Sequence, residues 1–143
     1  MKQVLSIEQM KHLQELGLDT GDASMHWQYL PTADAIINGT DEIEEEPCLF
    51  VSQPNMKHEY PAYTLQDILD KLPESIQIYD LYIFKQASLW VFKYIDVEDE
   101  TLHSETMPRL IDAAYYMLCW CIEKGYVKID KEVQTIVTGK RRE

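Results

Sequence analysis

The stretch Met107 to Tyr126 carries the start, the faces and the stop of one helix in its letters, and it constrains the fold more than any other part of the chain. Pro108 suits a first helical position, where its missing N–H costs nothing and its fixed φ is already helical. Gly125 suits the left-handed residue just past the end, with Lys124 beside the negative end of the helix dipole. Steps of about 100° per residue gather Leu110, Ala114, Met117, Leu118 and Cys121 on one face, flanked by Ile111 and Ile122. Asp112, Cys119 and Glu123 fall opposite. A second stripe, Ala113, Tyr116 and Trp120, runs along one flank. Apolar cover on more than half the circumference predicts a helix central to the fold rather than at a subunit contact. The flank stripe is the candidate interaction surface. It is expected to be buried by the N-terminal helix or by a second subunit.

Other segments read more simply. Ser6 followed by Gln9 is a capping-box signature, and Ile7, Met10, Leu13 and Leu16 form an apolar stripe that Gly17 ends. Met25, Trp27 and Tyr29 alternate with His26 and Gln28, as in a half-buried strand. Residues 31–47 admit two readings: Asn38-Gly39 signals a hairpin turn, while Ala33 to Ile37 fits a short helical turn. Cys48 to Ser52 reads as a strand. Thr64 with Asp67 starts another helix bearing Leu65, Ile68, Leu69 and Leu72, which Pro73 closes.

Ile76 to Phe84 and Leu89 to Ile95 form the clearest strand pair, linked by Lys85 to Ser88. One face carries Tyr79, Leu81 and Ile83 with Trp90, Phe92 and Tyr94. The other carries Ile76, Ile78, Tyr82 and Phe84 with Leu89, Val91 and Ile95. Both faces are apolar enough to want cover. Tyr126 to Ile129 offers an edge strand, and a flexible basic tail is expected from about Gly139. The fold class expected is α+β: an antiparallel sheet of about four strands packed against two or three helices, in a single domain spanning 1–143.

The chain has 143 residues, and its 25 acidic against 13 basic side chains give a net charge of −12. That balance argues against binding nucleic-acid phosphates or an anionic membrane. The apolar runs are too short to span a bilayer, and Met1 to Leu5 lead directly into a polar helix, so a cytoplasmic protein is expected. Three cysteines fit reduced, mostly buried thiols. Cys119 and Cys121 point apart on one helix, and Cys119, on the outer side, is expected to react first.

Catalytic motifs are missing. His12, His26, His58 and His103 show no metal-ligand spacing, and no glycine-rich phosphate loop or nucleophile elbow is present. No catalytic residue, cofactor or metal is therefore expected. The runs Asp41 to Glu46 and Asp96 to Glu100 read as solvated acidic loops; an alternative is a surface imitating DNA phosphates. Neutralising Glu44, Glu45 and Glu46 is expected to alter little beyond solubility.

Three segments carry a resemblance: Leu5 to Leu13 running on to Gly17-Leu18-Asp19-Thr20, then Tyr63 to Leu69, then Leu110 to Trp120. Together they resemble small uncharacterised proteins of gut Bacteroides and relatives, often encoded in prophage-like or mobile elements. The resemblance implies a bacterial, intracellular accessory protein and carries over no activity or site residue. A non-enzymatic protein-interaction module is the expected function, with itself or a host protein as partner. The alternatives are an acidic DNA-mimic inhibitor, or an enzyme with a dispersed site of His26, His58 and loop carboxylates.

Overall fold

The computed structural model describes residues 3–53 and 56–129. In chain order its elements are α1 (Ile7–Glu15), β1 (Met25–Gln28), α2 (Ala33–Asn38), β2 (Cys48–Val51), β3 (Tyr60–Ala62), α3 (Leu65–Lys71), β4 (Ser75–Ile76), β5 (Tyr79–Gln86), β6 (Leu89–Ile95), β7 (Thr101–Met107) and α4 (Leu110–Glu123). The fold is α+β. A four-stranded antiparallel sheet, ordered β4-β5-β6-β7, carries α4 on one face, and a three-stranded antiparallel sheet is ordered β2-β1-β3. Among the described residues there are four helices rather than two or three.

Local chemistry explains where three helices begin. Ser6 Oγ accepts from the N–H of Gln9 at 3.1 Å, and Gln9 Oε1 accepts from the N–H of Ser6 at 3.0 Å. Thr64 and Asp67 repeat that reciprocal pair at α3. Thr32 caps α2 through the N–H of Ala35. Asn38-Gly39 then ends this helix instead of turning a hairpin: Gly39 sits at φ 68° and donates its N–H to Ala35 O.

At α4 the stop is as the letters predict and the start is not. Gly125 lies at φ 82°, with its N–H on Ile122 O and that of Tyr126 on Cys121 O. The helix begins at Leu110, however, with Arg109 as N-cap. Pro108 precedes it because β7 keeps the chain extended through Met107, the partner of Trp90. That strand is absent from the sequence-based expectation. Its inward positions include His103 and Glu105, so no apolar alternation marks it.

Two further expectations are corrected. The predicted strand from Ile76 to Phe84 is broken by a turn at Gln77-Ile78, where Gln77 takes φ 57°. Tyr126 to Ile129 forms no strand; Val127 instead packs into the core. The β5–β6 turn is Ala87-Ser88, at φ 53° and 66°, without the glycine or asparagine that such a turn favours. The expected tail from Gly139 lies outside the described residues.

The core gathers Leu5, Met10 and Leu13, then Tyr63, Ile68 and Leu72, then Phe92 and Tyr94, against Ala114, Met117, Leu118 and Cys121 of α4. Cys119 is buried as well, contrary to its predicted outer position, because β7 closes over that side of the helix. Cys48 is the exposed thiol and should react ahead of both.

Burial pushes the Cys119 and Cys121 thiols up to about 11 from 9.0. The unfolded chain therefore releases these protons first, so the stabilising difference is full below pH 9 and is lost as pH rises toward 11. Burial also raises the Tyr63 and Tyr94 phenols, which acts in the same direction. The urea unfolding midpoint should stay level between pH 7 and 8.5 and fall between 9 and 11. A midpoint that rises over that window would contradict the burial of these groups.

Candidate functional site

The stripe Ala113, Tyr116 and Trp120 is not one surface. Ala113 is fully buried in the core, while Tyr116 is 42% exposed. Trp120 is half-buried, and the rings beside it come from β6, β7 and the segment after α4 rather than from α1. The His103 imidazole lies parallel to its ring at 4.2 Å, with Tyr126 at 5.5 Å and Tyr94 at 6.3 Å. A hydrogen bond between His103 Nε2 and Glu105 Oε2 holds the imidazole there. The reach of α1 toward this helix includes His12, 6.4 Å from the Tyr115 ring. The spacing of the three residues is helical as read, but Trp120 is covered by His103 of β7 and by Tyr126 beyond α4.

His26 and His58 are brought together. Their rings stack at 3.7 Å and 9°, and Phe50 lies 5.9 Å from the other partner, His26. His26 is the most buried residue of β1, at 8% exposure, covered by the His58 and Phe50 rings, while Trp27 on the opposite face donates its indole N–H to Leu5 O. Its Nδ1 is 3.1 Å from Ser52 Oγ. His58 Nε2 is buried with no hydrogen-bond partner among the described residues. An open cleft of about 430 Å³ joins both histidines to Tyr29, Lys57, Glu59 and Tyr60. Ser52 was not legible in the sequence, since its partner stands 26 positions away.

The cleft has parts of a nucleophile–base pair but lacks its completion. A serine hydroxyl activated by histidine needs a third group orienting the imidazole. No carboxylate hydrogen-bonds to His26 among the described residues, and the ring faces are already stacked.

The β5–β6 hairpin presents the other candidate. Pairing sets Phe84 opposite Val91, Gln86 opposite Leu89 and Tyr82 opposite Lys93 on one face. Phe92 and Tyr94 point to the other face, where α4 buries them completely. Both faces are apolar enough to want cover, and α4 packs on one of them, although Ile83 there stays 40% exposed and Val91 on the other face is buried. Tyr82 is 51% exposed, and Phe84 and Leu89 are each 36% exposed. Ile78, in the turn before β5, is exposed too. Scattered apolar residues on a surface are ordinary, whereas side chains adjacent by strand register make a contiguous patch.

The acidic runs offer no comparable site. Asp96 Oδ1 accepts from the N–H groups of Glu98 and Glu100, each at 2.9 Å, so this carboxylate organises its own turn. Among the described residues no three histidine, cysteine or acidic side chains are placed to hold a metal ion. No helix there is long and apolar enough to cross a membrane. Comparison with protein-family models, curated proteins and solved structures finds no match.

Proposed function

We propose that this protein is a non-enzymatic interaction module that docks a second protein on the outer face of the β5–β6 hairpin. The observation that carries the reading is the adjacency of Tyr82, Phe84 and Leu89 on the sheet face that α4 does not cover. Aromatic side chains on a rigid strand lose little entropy on binding, and such residues anchor many interfaces. The resemblance to mobile-element proteins of gut Bacteroides supports reading it as an accessory protein of the bacterial cytoplasm, with a host protein or another copy as the docked partner.

Photocrosslinking in the source bacterium tests the reading, with a benzophenone side chain placed at position 82 or, as control, at Glu45 in the exposed acidic run. The expected result is a discrete product from position 82 alone. Phe84→Ser should weaken its formation about thirtyfold or more, the scale of one aromatic anchor. Sedimentation then distinguishes a second copy from another protein. Equal products from both positions, or no effect of Phe84→Ser, would contradict the assignment.

A second reading, an enzyme built on His26 and His58, has one observation in its favour: the unpartnered Nε2 of His58 beside the cleft. The stacked rings and the missing orienting group weigh against it. The acidic-mimic reading draws support from the net charge alone.

A further inference from the structure

A separate cavity of about 510 Å³ opens where the N-terminal ends of α3 and α4 meet the edge of the sheet. Leu65, Trp90, Leu110 and Ile111 contribute apolar walls, and the polar lining residues are Gln3 and Arg109. We propose that this cavity binds a small amphiphile, with its apolar tail against Trp90 and Leu110 and a carboxylate head on Arg109. The inference stands apart from the docking reading, which concerns the opposite face of the hairpin.

Three features select that chemistry. The volume falls within the range of small-molecule sites, roughly 300–1000 Å³, and such sites pair apolar walls with a few placed polar groups. Among the described residues lining the cavity Arg109 is the one charged side chain, and it forms no ion pair with another described residue. Its guanidinium is therefore available to take a carboxylate in a two-pronged hydrogen bond, which a neutral or cationic head group cannot form. Lys85 adds to the positive local field, with Nζ 5.5 Å from the centre of the Trp90 ring. Arg109 is also the N-cap of α4 and makes no side-chain cap, so the helix dipole favours the same sign of ligand.

Titration with decanoate, followed through the tryptophan indole N–H signals, tests the proposal, with decanol as the neutral match. Trp90→Phe identifies which signal belongs to the cavity. Decanoate should shift the Trp90 signal, and decanol should bind about tenfold more weakly, the scale of one charge-assisted contact. Arg109→Gln should bring decanoate down to the decanol affinity, while Arg109→Lys should retain part of the preference. Leu110→Trp, which fills the cavity, should remove binding of both while the circular dichroism of the fold is kept. Absence of any Trp90 shift at millimolar decanoate, or equal binding of the two ligands, would overturn the proposal. So would an Arg109→Gln variant that binds decanoate like the parent.

Discussion

Phe92→Ala is expected to destabilise the protein by about 3–5 kcal/mol, the usual loss for a large ring removed from a packed core. Phe92 is completely buried on β6, on the face of the four-stranded sheet that α4 covers. Strand pairing on both sides fixes its backbone: Ile83 stands opposite it on β5 and Glu105 on β7. Sheet and helix therefore cannot collapse into the space the ring leaves. Against a total stability of about 5–15 kcal/mol this is a large share. Phe84→Ala is the internal control, since Phe84 lies on the same hairpin and faces outward. It should cost under about 1 kcal/mol. Urea unfolding of the two variants checks the contrast, and equal losses would show that the two faces have been misassigned.

Asp67→Ala should be the most damaging polar substitution, at about 2–3 kcal/mol. One carboxylate serves two segments. Its Oδ2 accepts from the N–H of Thr64, closing the cap of α3, and from the N–H of Ser24, each at 3.0 Å. Its Oδ1 accepts from the Ser24 hydroxyl. The loop entering β1 is thereby fastened to α3, and the Lys71–Asp22 ion pair lies alongside. Thr64→Ala removes only the cap and should cost about 1 kcal/mol. The difference between the two, measured by urea midpoint, reports the long-range tie. Should both cost the same, the bonds to Ser24 contribute nothing in solution.

The proposed docking surface is half legible in the sequence. The alternation in β5 and β6 identifies both apolar faces, and pairing then confirms which side chains share each one. Alternation is a property of the single strand, so it cannot say which face a helix will cover. The stripe Ala113, Tyr116 and Trp120 fails as a single surface for the same reason. Its residues share a helical spacing, but Ala113 is fully buried, Tyr116 is exposed, and Trp120 is covered by His103 of β7 and by Tyr126 after α4. His26 and His58 are legible in the sequence as candidates for a dispersed site. Their stacking, and the contact with Ser52, join parts of the chain that no local pattern connects.

By itself the sequence determined the capped starts at Ser6 and Thr64, the glycine stop at Gly125, the apolar phase of α4 and the central strand pair. These features depend on backbone hydrogen bonds and side-chain spacing within a few residues, which the letters contain directly. The tertiary structure alone decided four others: that Thr101 to Met107 is a strand, that α4 begins only at Leu110, that Cys119 is buried, and that Tyr82, Phe84 and Leu89 stay open. Each of these turns on which distant segment packs alongside. Thr101 to Met107 has weak local strand character and is held by pairing to β6, and that pairing both delays the helix and shuts Cys119 away from water.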